Sequence, residues 1–120
     1  MKIRTIALDD EPLALKLVSI YIKKTPFLEL VGEFNSSLDA LEFIKNNDVD
    51  LIFSDIHMPD LSGIDFMKAL KDPMPKFIFT TAFGKNVLTD FEGNKNIGHL
   101  LKPFSYQEFL AVAKKFTGQE

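Results

Sequence analysis

Five residues of complementary chemistry stand at the ends of short apolar runs. Asp9 and Asp10 follow Ile3–Leu8, Asp55 follows Asp50–Ser54, Thr81 follows Lys76–Thr80, and Lys102 follows Gly98–Leu101. Three carboxylates drawn together cannot all stay ionised unless cations compensate them. Hard oxygen donors with no His or Cys side chain among them suit Mg²⁺, which binds through one or two carboxylates and phosphate oxygens. Lys102 offers a second positive charge. A carboxylate is also a nucleophile toward phosphorus, forming an aspartyl phosphate. The transferring group needs little beyond neutralised charge and held geometry. Mg²⁺, Lys102 and the Thr81 hydroxyl would serve its three equatorial oxygens. Singly, each residue has an ordinary reading: Asp10 as a helix cap, Asp55 as a turn residue, Thr80 and Thr81 as strand formers, Lys102 as a surface lysine. The chemistry lies in their falling together.

What could bring them together is an alternation of strands and helices. Ile3–Leu8 reads as a buried strand, then a helix from about Glu11 with Leu13, Leu17, Ile20 and Tyr21 on its inner face. Pro12 suits that helix's first turn, where an N–H is not needed. Leu28–Phe34 is a second strand, and Ser36 or Ser37 caps a helix carrying Leu38, Leu41 and Ile44. Asp50–Ser54 is a third strand; Pro59, Ser62 and Gly63 mark a loop before a short helix with Ile64, Met67 and Leu70. Lys76–Thr80 is a fourth strand, Asn86–Phe91 a fourth helix, and Gly98–Leu101 a fifth strand. Ser105 caps a last helix with Phe109, Val112, Ala113 and Phe116 turned inward. The pattern predicts an α/β fold, a flavodoxin-like (βα)5 sandwich with a parallel sheet ordered 2-1-3-4-5. In such a sheet ligands bind at the carboxyl edge where strand order reverses, between strands one and three. The three aspartates meet there.

The bulk properties agree. A chain of 120 residues, 46% apolar and 26% charged, is one soluble domain with a real core. A net charge of −3 with scattered lysines gives no basic stripe, so the domain itself is not expected to bind nucleic acid. The absence of cysteine excludes disulfides and thiolate metal sites and fits a cytoplasmic location. No apolar run approaches the ~20 residues of a membrane span, and Met1–Arg4 does not resemble a signal peptide, so no membrane role is expected.

Leu8-Asp9-Asp10-Glu11-Pro12, Asp55-Ile56-His57-Met58-Pro59-Asp60-Leu61-Ser62-Gly63, Thr80-Thr81-Ala82 and Leu100-Leu101-Lys102-Pro103-Phe104 resemble, in order and spacing, the signature segments of response regulator receiver domains. The resemblance covers essentially the whole chain. It implies Asp55 as phosphoacceptor, Asp9 and Asp10 as the acidic metal pair, and the main-chain carbonyl of His57 as a further Mg²⁺ ligand. It also implies Thr81 as the hydroxyl that follows the phosphoryl group, Lys102 as the phosphate-binding lysine, and a cis Lys102–Pro103 peptide. The implied partner is a sensor histidine kinase. The implied output is a homodimer formed on phosphorylation through the face of the fourth helix, fifth strand and last helix. The style of Asp-Asp-Glu-Pro-Leu-Ala and Leu-Leu-Lys-Pro-Phe is most similar to regulators with a LytTR-type DNA-binding module. Residues 1–120 are therefore expected to be one receiver domain taken from a longer regulator, with a stand-alone receiver as the alternative.

Two positions depart from the family pattern. His99 stands where Tyr or Phe is usual, and the segment Glu92–Gly98 is longer than usual and rich in Gly and Asn. Imidazole is smaller than a phenyl ring and polar, so a weaker or pH-sensitive switch is one expectation and a merely exposed His99 the other. His57 could shade or assist an attacking water, or be a solvated loop residue. Haloacid dehalogenase-like phosphatases also use an aspartyl nucleophile and Mg²⁺. Their Asp-x-Asp spacing is not met here, since Asp9 and Asp10 are adjacent and His57 holds the position two beyond Asp55.

Overall fold

In a computed structural model, described over residues 2–82 and 93–119, the chain runs β1 (Ile3–Leu8), α1 (Pro12–Lys24), β2 (Leu28–Phe34), α2 (Ser37–Asn46), β3 (Leu51–Asp55), α3 (Gly63–Lys68), β4 (Lys76–Thr81), β5 (Ile97–Leu101) and α4 (Tyr106–Thr117). The helix expected over Asn86–Phe91 lies outside the described residues. All pairings are parallel and the sheet order is β2-β1-β3-β4-β5. Among the described residues, no helix is long and apolar enough to cross a membrane.

Strand alternation divides the core into two layers. Ile6, Leu8, Ile52, Phe77 and Phe79 face one side, with Ala40 of α2 and Phe66 and Met67 of α3. Ala7, Leu51, Phe53 and Ile78 face the other, with Val18 and Ile22 of α1 and Phe109 and Ala113 of α4. Successive strand side chains point to opposite faces, so a central strand covered by helices is buried at every position and is mostly apolar. β3 shows this: all five of its residues are buried, including Ser54 and Asp55.

The helix caps follow the sequence in most places. Ser36 accepts from Asp39 N, Ser62 from Asp65 N, and Ser105 forms a capping box with Glu108. At α1 the cap is Glu11, which accepts from Leu13 N and Ala14 N; Asp10 is not the cap.

The inner face of α1 differs from the expected one. Leu13, Leu17 and Ile20 are 75%, 37% and 43% exposed, while Val18, Ser19 and Ile22 are buried and Leu15 and Tyr21 pack beside them. The helix is apolar on nearly all sides, so two stripes of helical period compete. Docking on the sheet selects the one with Leu15, Val18 and Ile22. Likewise Leu38 of α2 is exposed, whereas Ala40 is buried and Leu41 and Ile44 pack on the core. The third strand begins and ends one residue later than expected, which makes Asp55 its last residue, paired with Thr80.

Ser19 is 3% exposed and its hydroxyl has no hydrogen-bond partner. A buried, unpaired hydroxyl is destabilising, and Ala is the better helix former. Ser19→Ala should raise stability by about 1 kcal/mol, read as a higher urea midpoint at unchanged slope.

Candidate functional site

Parallel strands deliver their last residues to one edge, and there the aspartates meet. Asp9, Asp10 and Asp55 each place a carboxylate oxygen within 4.8 Å of the other two. Asp9 is 1% exposed and Asp55 nearly buried, while Asp10 stands in solvent. The main chain of Asp9 is fixed by its N–H donating to Phe34 O at 3.1 Å. Its Oδ1 accepts from Glu11 N at 2.9 Å and its Oδ2 from Lys102 Nζ at 2.7 Å. Lys102 Nζ is also 3.5 Å from Asp55 Oδ2. The lysine is held at its base by Lys102 N donating to Thr81 O at 2.7 Å, and the Lys102–Pro103 peptide is cis.

Asp55 is gripped from behind. Ser54 Oγ donates to Asp55 O at 2.8 Å, and Gly63 N donates to Ile56 O at 2.8 Å. A Cβ on Gly63 would collide with Asp55 O, so only glycine lets α3 start this close to Asp55.

The electrostatics follow from burial and from an excess of negative charge. Burial pushes the Asp55 carboxyl above the ordinary value of 3.8; Lys102 opposes this, Asp9 adds to it, and a hydrogen bond from the His57 main chain opposes it. Lys102 is shifted upward: burial works against its charge, but the hydrogen bond to Asp9 and the charges of Asp55 and Asp9 together outweigh it. One ammonium thus faces three carboxylates. An all-oxygen donor set with uncompensated charge fits a hard divalent cation such as Mg²⁺.

The structure therefore brings Asp9, Asp10, Asp55 and Lys102 into one cluster. Thr81 is buried at the end of β4, the strand beside β3. The side chain of His57 is exposed in the loop after β3. His99 is exposed on β5, opposite Phe79, and outside the cluster. Two residues were not anticipated. Glu11 takes the cap role open to Asp10, and Asp60 binds the start of α2. The first could be read from Pro12 following it; the second has no local signal, because its partners lie 22 to 24 residues upstream.

A doubly wound parallel sheet with an acidic cluster and a lysine at its carboxyl edge defines a class of flavodoxin-like α/β domains, and comparison with known proteins narrows it. The family model described as "Response regulator receiver domain" matches residues 6–114, and the chain belongs to that family. It is 31% identical to the sensory transduction protein LytT of Bacillus anthracis over 98% of this chain and 48% of that protein. It is also 31% identical to protein MrkE of Klebsiella pneumoniae, over 97% of this chain and 44% of that protein. The chain thus spans about half the length of these curated relatives. The crystal structure of the response regulatory domain of MrkE superposes with a TM-score of 0.85 at 30% identity, covering 97% of this chain and 96% of that one. The receiver domain of the putative response regulator NarL from Mycobacterium tuberculosis gives 0.82 at 25% identity, covering 98% of both.

Asp55 holds its proton more tightly when folded than when unfolded. Its ionisation therefore weakens the metal-free fold above the raised value, and the penalty vanishes as pH falls toward 3.8. Asp55→Asn should melt higher than wild type at pH 7.5 in a chelator, and the gap should shrink in melts at progressively lower pH.

Proposed function

We propose that this receiver takes a phosphoryl group on Asp55 from the phosphohistidine of a sensor kinase or from a small phosphodonor. A carboxylate oxygen of Asp55 attacks phosphorus and the P–N bond breaks. The departing imidazole nitrogen keeps the electron pair and takes up a proton. The observation that carries the reading is the charge arrangement: Asp55 is buried beside two more carboxylates, with Lys102 the cation that reaches it. Asp9, Asp10, Asp55 and the main-chain carbonyl of His57 would hold Mg²⁺, which supplies charge neutralisation for the transferring group. Lys102 draws off charge on the other side, and Thr81 offers its hydroxyl to a phosphoryl oxygen. Exposed Leu13, Leu38 and Leu101 stand near the same sheet edge and give a donor protein apolar surface to rest on.

The output we infer is control of transcription through a LytTR-type DNA-binding domain beyond this receiver, reached by dimerisation of the β5–α4 side. The LytT relative, of which this chain matches about half, supports it. His99, on that side, is the proposed switch position in place of the usual aromatic ring. The receiver itself contacts no nucleic acid in this scheme and acts in the cytoplasm.

Acetyl phosphate with Mg²⁺ should add one phosphoryl group to the intact mass, and Asp55→Asn should abolish the gain. Labelling that persists in Asp55→Asn would overturn the assignment.

Lys102→Ala should still accept some phosphoryl group yet lose the response, because the lysine is the link from that group to β5. Dimer fraction, measured against phosphorylated fraction, should fall at least about tenfold in sensitivity, the equivalent of ~1.4 kcal/mol of coupling.

A further inference from the structure

The loop between β3 and α3, residues 56–62, is fastened to the start of α2 chiefly by one carboxylate, with one further hydrogen bond beside it. Asp60 Oδ2 accepts from Ser36 Oγ at 2.6 Å and Leu38 N at 3.1 Å, and Oδ1 accepts from Ser37 N at 3.2 Å and Leu61 N at 2.9 Å. Ser37 Oγ returns a bond to Leu61 O at 2.7 Å. Four donors on two oxygens fill the carboxylate, and three of them come from the first turn of α2. These bonds, the Ser36 hydroxyl foremost, hold the Asp60 carboxyl well below its ordinary value although it is exposed, so the link stays ionised at all physiological pH.

His57 lies between this anchor and Asp55. On its amino side the chain is fixed by Ser54 and by the Gly63–Ile56 bond, and Met58 is buried in the core. The His57 main chain bonds the Asp55 carboxylate. Nothing in the local sequence requires the loop to approach α2, and without Asp60 its outer limb would keep only the Ser37–Leu61 hydrogen bond to that helix.

We infer that Asp60 is a positioning residue for the phosphorylation site: by tying residues 56–62 to the start of α2, it holds the His57 main chain in place at Asp55. This rests on the metal reading above only for its effect on Mg²⁺. Loss of a group bonded directly to a metal ligand commonly weakens a metal site by ~10- to 100-fold. Asp60 acts through the chain and bonds no ligand, so it belongs at the low end of that range. Asp60→Ala should weaken Mg²⁺ binding by about tenfold. The half-saturating Mg²⁺ for acetyl phosphate labelling should rise by the same factor, with the rate at saturating Mg²⁺ preserved. Asp60→Asn keeps one acceptor oxygen and turns an NH₂ toward a donor, so it should recover only part of the loss. Ser36→Gly keeps a competent cap but removes the shortest bond, and should give a smaller weakening of the same sign.

The deciding measurement needs no metal. Amide hydrogen exchange in the metal-free protein should show His57 exchanging at least about tenfold faster in Asp60→Ala, with buried β3 amides such as that of Ile52 changed far less. A purely structural cap would raise exchange at Ile52 and His57 together through global unfolding. Unchanged His57 exchange, or equal acceleration at both, overturns the inference. If wild type fails to bind Mg²⁺, the metal reading falls, and the His57 exchange still decides the role of Asp60.

Discussion

The Lys102 ammonium sits 2.7 Å from Asp9 and 3.5 Å from Asp55, and that contact between one cation and a crowded set of carboxylates is what the rest of the structure supports. Asp9 and Asp55 are buried at the ends of adjacent strands, where water cannot fully screen them, and Asp10 adds a third charge from the solvent side. A buried ion pair that loses one partner leaves an uncompensated charge, so the lysine is as much a structural element as a chemical one. Its reach depends on β5 lying against β4, with Lys102 N bonded to Thr81 O. The metal-free site is thus short of positive charge, and a divalent cation or a change at Asp55 alters that directly.

Holding such a site requires rigidity behind it, and the central strand provides it. β3 is buried on both faces, with Phe53 stacked on Phe109 at 4.7 Å on one side and Ile52 in the opposite layer. Packing at interior density resists small displacements, so the carboxylate at the end of β3 inherits its position from the core. β5 meets α4 by the same logic: Gly98 has no side chain because the Phe116 ring occupies that space. Lys76 closes the far end of α4 by donating to Phe116 O at 2.7 Å, a cation at a helix carboxyl terminus.

Farther out, control passes from apolar packing to hydrogen bonds. In the loop after β3, Ile56 and Met58 are buried and Leu61 packs on the core, but His57, Pro59 and Asp60 are exposed, so burial does not fix its outer limb. The loop is held also by hydrogen bonds at Ser54, Gly63 and Asp60, each using a group that the neighbouring elements leave available. The N-terminus of α2 offers unpaired N–H groups, and Asp60 takes them. The capping of α2 and the anchoring of the loop beside the carboxylate cluster are thereby made one.

The sequence by itself determined the fold class, the strand order and the identity of the clustered residues. Runs such as Leu51–Phe53 are apolar on both faces, caps such as Ser36 and Ser105 are local, and motifs at strand ends must share an edge once the strands are parallel. Tertiary structure decided which side of α1 faces the sheet, because Leu13, Leu17 and Ile20 are as periodic as Leu15, Val18 and Ile22 and only docking distinguishes them. It also decided that Glu11 caps α1, that Lys102 leans closer to Asp9 than to Asp55, and that Asp60 meets Ser36. Periodicity and capping act over a few residues and are written in the chain. The partner of a carboxylate 24 residues from its donor is set by how two elements pack in space, which no local pattern encodes.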